Sequence, residues 1–207
     1  MLKRDGMNKE AKVNKNGRLR SSRSLFVIVG LILASWVTLA NTGEPFVLTS
    51  AAFKDGTPLQ KKNSNNTPGN ANCVGENVSP PLAWSNPPAG TKSFALTMVD
   101  PEGRGGTGVV HWVADGIPVS VTGFAEGEVS KPSDKYVGGK GNAGGGATTY
   151  MGPCTPRGTP HHYTFILIAT DLEPKDLPPG LTRDELFAKL TGHTKGATGF
   201  VGLFGSP

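Results

Sequence analysis

Apolar residues along this chain fall into short runs separated by glycine, proline and polar clusters, and helical spacing is scarce. Phe46-Val47-Leu48 and the runs at 94–99, 109–114 and 163–169 are rich in β-branched and aromatic side chains and end on turn residues. That is the signature of strands, and its recurrence predicts an all-β sandwich or barrel. One helix is predicted near the end. Thr182 and Glu185 have capping-box spacing, Leu186, Phe187 and Leu190 form an apolar side, and Gly192 follows as a stop. No internal repeat is present.

A longer apolar run, 25–40, carries no charge and follows a polar, basic stretch. A basic region, an apolar region and small residues near Ala40 fit a secretory signal peptide, with an uncleaved N-terminal membrane anchor as the alternative. The segment 1–40 also explains the net charge. It holds eight Lys/Arg against two Asp/Glu, whereas the remainder holds 13 against 14. The pI therefore belongs to the leader, and no basic field is left to favour nucleic acid as a partner. Residues 41–207 suffice for one domain with a sizeable core.

The candidate chemistry sits at the ends of two predicted strands. The run ending at Val99 leads into Asp100-Pro101-Glu102, a glycine-rich loop, and then His111 inside an apolar run. A histidine there needs a polar partner, and Asp100, one loop away, can supply it. The second strand opens with His161-His162-Tyr163. Alternation puts His161 and Tyr163 on one face and His162 on the other. If the strands converge, a carboxylate, two imidazoles and a phenol meet in one concavity. Two loops complete the picture: 60–72, polar and turn-rich, is predicted to be exposed and mobile, and 138–146 supplies flexible glycine backbone. The latter lacks GxGxxG spacing and a Lys-Ser/Thr ending, so a nucleotide cradle is discounted.

The motifs CVGENVSPPLAW from Cys73, PAGTKSFAL from Pro88, DPE at Asp100, HW at His111, YMGPCTPRG from Tyr150 and HHYTF from His161 occur in one order. Together with the C-terminal GHTKGATGFVGLF they resemble the phosphatidylethanolamine-binding protein family, in its bacterial and archaeal branch, often labelled Raf-kinase-inhibitor-like. The resemblance runs from about Phe46 to the end. It implies a mostly β fold, an antiparallel β-sandwich with one or two short helices, including the one near the C-terminus. It also implies a small cavity for phosphate, a phospholipid headgroup or a similar anion, lined by Asp100, Glu102, His111, Gly152, Pro153, His161 and Tyr163. In that reading the imidazoles and the phenol donate to phosphate oxygens, Asp100 orients an imidazole, and Gly152-Pro153 shapes the rim where ligand approaches backbone. The loop departs from the family's DPDAP, reading Asp100-Pro101-Glu102-Gly103-Arg104, which leaves ligand preference open.

The two cysteines, Cys73 and Cys154, do not have zinc or redox spacing. Both flank family motifs, and in an oxidising compartment they are expected to pair, with two buried thiols as the alternative. The resulting expectation is an exported, periplasmic or secreted, non-enzymatic binding protein without a cofactor. A kinase or protease inhibitor acting through its surface is the second reading. A hydrolase using Asp100, His111 and His161 as a two-His-one-carboxylate metal site is the third.

Overall fold

The strand-forming runs pair into two sheets in the computed structural model, which describes residues 43–207. The predicted leader, 1–40, lies outside the described residues. β1 (Val47–Thr49), β3 (Leu82–Ser85) and β6 (Gly123–Phe124) form one sheet, in the order β1-β3-β6. β2 (Thr57–Pro58), β4 (Ser93–Asp100), β5 (Val109–Pro118), β7 (His161–Thr170) and β8 (Thr194–Phe204) form the other, in the order β2-β8-β7-β4-β5. The pairs are antiparallel, except that the two-residue β2 runs parallel to β8. The predicted mostly β, antiparallel sandwich is the fold observed.

Side-chain alternation distributes the apolar residues over two layers. Phe94, Leu96 and Met98 of β4, Trp112 and Ala114 of β5, and Phe165 and Leu167 of β7 join Leu82, Trp84 and Phe124 of the smaller sheet in one core. Their neighbours Ala95, Val113 and Ile168 face the other way, onto a second layer of Leu177, Leu181, Leu186 and Leu190. The larger sheet is thus covered on both faces, which is why its central strands read as unbroken apolar runs.

The second layer is supplied in part by α2 (Arg183–Leu190), the helix expected near the C-terminus. Its first turn closes as a capping box: Thr182 Oγ1 accepts from Glu185 N at 3.3 Å, and Glu185 Oε2 accepts from Thr182 N at 2.9 Å. Gly192, just past the end, takes φ +83°. A single turn, α1 (Gly103–Gly106), follows β4, with Arg104 and Gly105 at positive φ. Among the described residues, no helix is long and apolar enough to cross a membrane.

The loop 60–72 differs from its expectation. Asn63, Ser64 and Asn65 are buried. Asn63 Nδ2 donates to the Val78 carbonyl at 2.8 Å, and the Asn63 carbonyl accepts from the Tyr150 hydroxyl at 2.7 Å. A polar sequence can be buried when each polar group finds a partner, and here they do. Residues 66–71 are exposed, as the composition suggests.

Candidate functional site

His111 owes its position to an irregularity in β5. The register passes from Met98↔Trp112 to Val99↔Val110, so His111 is the extra residue of a β-bulge. A bulge re-aims a side chain out of the regular alternation. Val110 and Trp112, two apart, accordingly pack into different layers, and His111 between them lines a cavity. β7 pairs with β4 up to Val99↔Thr164, which brings the start of β7 beside Asp100 at the end of β4.

The cavity has a volume of about 740 Å³. Asp100, Glu102, His111, Gly152, His161 and Tyr163 all line it, so the structure brings together nearly every residue singled out from the sequence. Pro153 is not among the lining residues. It is buried behind the wall, where its carbonyl accepts from Asn65 N at 2.7 Å. Gly152 answers to the same packing: a Cβ there would lie 2.1 Å from the Asn63 carbonyl oxygen and 2.9 Å from Asn65 N. The absent side chain admits the 63–65 backbone rather than a ligand.

Asp100 pairs with a different histidine from the one its place in sequence suggests. Its Oδ1 accepts from Gly103 N at 2.9 Å, and its Oδ2 accepts from His161 Nδ1 at 2.8 Å. His111 Nδ1 instead donates to the Met151 carbonyl at 2.9 Å. A carboxylate and a carbonyl only accept, so Nδ1 carries the proton on both rings. The nitrogen left for a ligand is Nε2, which accepts when the ring is neutral and donates only from the imidazolium. Of the imidazoles expected to donate to phosphate, each can do so through Nε2 only as the imidazolium. Burial holds His111 below the usual imidazole range, against the Met151 carbonyl and Asp100, which favour its charged form.

His162 is exposed on the outer face, as alternation requires, yet it is tied to the rim. Its Nδ1 donates to Glu102 Oε1 at 2.6 Å, and its backbone N–H donates to Oε2 at 3.2 Å. Partial burial raises the Glu102 carboxyl, but the hydrogen bonds from His162 outweigh it and hold the group below the usual carboxylate range. Tyr163, 1 % exposed, meets the His111 ring edge-on with centroids 5.1 Å apart. Its hydroxyl and Thr155 Oγ1 are 2.6 Å apart, and burial lifts the phenol well above its ordinary value, so it is a protonated donor at neutral pH.

Several lining residues were not among the site candidates read from the sequence: Asn65, Arg104, Met151 and Thr155. Thr155 and Met151 flank the Gly-Pro-Cys motif without a distinctive spacing of their own. Cys73 and Cys154 are bonded to each other, with Cα atoms 4.5 Å apart, and their disulfide lies in the cavity wall. The set able to approach a metal ion also changes. Asp100, Glu102 and His161 place ligand atoms within 4.8 Å of one another, and His111 is not part of the group. The two-His-one-carboxylate trio is therefore not assembled.

Residues 49–205 match the family model for phosphatidylethanolamine-binding protein. The chain belongs to that family. A UPF0098 protein of Aquifex aeolicus is 35 % identical over 86 % of this chain and 98 % of its own length. A protein designated lipoprotein LppC in Mycobacterium tuberculosis is 34 % identical over 81 % of this chain and 76 % of its own. The crystal structure of Escherichia coli YbcL, described as a member of the mammalian PEBP family, superposes with a TM-score of 0.69 at 29 % identity. It covers 79 % of this chain and 100 % of that one. The relatives place the protein in the bacterial and archaeal type of phosphatidylethanolamine-binding protein, with the fold the sequence resemblance implied.

Proposed function

We propose that this chain is an envelope protein that binds, without turning over, a phosphate-bearing ligand with an organic substituent. The observation that carries the reading is the convergence of Asp100, Glu102, His111, His161 and Tyr163 on one cavity of about 740 Å³. That volume lies within the range of small-molecule sites and exceeds what a phosphate ion needs. The cavity contains a protonated phenol, two imidazoles with one free nitrogen each, and two carboxylates each held by a histidine. A phosphate monoanion fits this set: its oxygens accept from Tyr163 and its P–OH donates to a neutral Nε2. A phospholipid headgroup and a soluble phosphomonoester share that chemistry. Binding rather than catalysis is favoured by the cysteines in the wall, which are joined and so offer no nucleophile. The envelope location is supported by the same disulfide and by the lipoprotein designation of one relative.

Titration calorimetry with phosphoethanolamine and with inorganic phosphate tests the reading. Weak binding is expected, and His161→Ala should weaken it roughly 10-fold, the scale of a lost hydrogen bond to a charged group. The same titration after EDTA treatment should be unchanged. Absence of binding by either ligand would sink the proposal, and restoration of lost binding by added zinc would replace it with a metal-dependent site.

A further inference from the structure

We propose that Arg104 is the anion anchor of this cavity, the residue whose guanidinium takes the phosphoryl oxygens of the ligand. The proposal rests on the phosphate-ligand reading above and names the group that makes it electrostatically feasible. Among the residues lining the cavity, Arg104 is the one lysine or arginine, and the lining also holds two carboxylates, Asp100 and Glu102. With both imidazoles neutral, the charged groups of the lining sum to a negative site. Neither ring then offers a donor, because each Nδ1–H is committed to protein. A phosphate dianion would meet repulsion and a hydroxyl pair. The guanidinium supplies a permanent positive charge and a planar fork of donors matched to phosphate oxygens.

The geometry of Arg104 agrees with such a role. Its Nη2 donates to the Asn142 carbonyl at 2.8 Å, and Asn142 Oδ1 accepts from Val110 N at 2.8 Å. The head group is thereby held between the loop after β4 and the glycine-rich loop 138–146. It makes no other hydrogen bond and no salt bridge among the described residues, so its other N–H groups remain for a ligand. The backbone is informative as well. Arg104 has φ +52° and ψ +42°, in a turn whose next residues, Gly105 and Gly106, have φ +68° and +90°. Glycine adopts that left-handed conformation freely and an L side chain does not. The arginine is kept where the backbone would favour glycine, so its side chain is the feature the turn presents.

The test uses wild type, Arg104→Gly, Arg104→Gln and Arg104→Lys, titrated with inorganic phosphate and with phosphoethanolamine at pH 8. At that pH free histidine is neutral, so the imidazoles lend little charge of their own. Arg104→Gly removes the charge and relieves the backbone, so its thermal unfolding temperature should equal or exceed wild type while phosphate affinity falls about 10- to 100-fold. Arg104→Gln should lose the same affinity, and Arg104→Lys should keep part of it. Wild-type binding that survives Arg104→Gly within twofold overturns the anchor and leaves the phosphate cavity standing. No phosphate binding by wild type at pH 8, nor at pH 6 where more of the monoanion is present, overturns both. A third arm measures sedimentation with phosphatidylethanolamine vesicles. Arg104-dependent binding to vesicles identifies a lipid headgroup, and Arg104-dependent binding to the soluble monoester alone identifies a soluble ligand. Each supports the anchor.

Discussion

At the scale of single residues, the least comfortable group in the molecule is Asp115. It is 0 % exposed, and neither carboxylate oxygen has a hydrogen-bond partner among the described residues. It lies in the second irregularity of β5, where the register shifts between Phe94↔Ile117 and Leu96↔Ala114. Burial pushes its pKa from 3.8 up to about 7. The folded state therefore binds a proton that the unfolded state has released. This contribution to stability is complete below about pH 4 and is lost as pH rises through 7. Asp115→Asn removes the titration, so the variant should gain on wild type between pH 5 and pH 8 by about 3 kcal/mol, the stretch of the titration that lies between pH 5 and the folded pKa. Urea unfolding at the two pH values measures it, and an equal difference at both would mean the carboxylate finds a partner. Sequence could not have marked Asp115, since its isolation comes from a bulge and not from its neighbours in the chain. His161 and Tyr163 were legible because strand alternation puts them on one face, and Asp100 and His111 because short motifs mark them. Which histidine Asp100 holds was not legible, because the Met151 carbonyl that claims His111 lies forty residues away.

At the scale of elements, the strands that could be read are those with β-branched or aromatic runs; the short β2, β3 and β6 were not legible, and neither was the long β8. It is the longest strand, Thr194–Phe204, and it pairs with β7 along nearly its whole length. Gly196, Gly199 and Gly202 dilute its apolar pattern, so the residues TKGATGFVGLF resemble a loop until their partners are known. The glycines are there because other groups come close. A Cβ on Gly202 would stand 2.6 Å from Leu59 Cδ2 and 3.1 Å from Phe53 Cε2, both in the main core. Gly202→Ala should therefore cost about 1–3 kcal/mol, the scale of overpacking, and lower the melting temperature by several degrees. Gly199 meets nothing closer than 3.9 Å, so Gly199→Ala serves as the control and should be nearly neutral. Equal losses at the two positions would point to backbone flexibility as the cause, not to packing.

At the scale of the whole molecule, the cavity wall is assembled from segments far apart in sequence, and the bridge between Cys73 and Cys154, 81 residues apart, ties two of them. The wall has other ties on one side only. Asn65 N donates to the Pro153 carbonyl at 2.7 Å, Gly152 N to Asn77 Oδ1 at 2.8 Å, and the Tyr150 hydroxyl to the Asn63 carbonyl at 2.7 Å. These hold 63–65 and 77 against the 150–153 segment without help from sulfur. The exposed stretch 66–71 is tied at its start by Thr67 N, which donates to Asn65 Oδ1 at 2.7 Å, and past its end by the disulfide and by Ser206 Oγ donating to the Asn72 carbonyl at 2.8 Å. Reduction should then act on two levels. Loss of the cross-link should lower global stability by about 2–5 kcal/mol, the usual effect for a loop of this size. Amide exchange under native conditions should rise selectively at 68–73, the rim carrying Asn70 and Cys73, while the amides of Asn63, Asn65 and Thr67 stay protected. Hydrogen exchange with and without dithiothreitol, read segment by segment, distinguishes this from the alternative. If 60–65 loses protection together with the rim, the wall depends on the bridge, and the buried asparagines are held by it rather than by their hydrogen bonds.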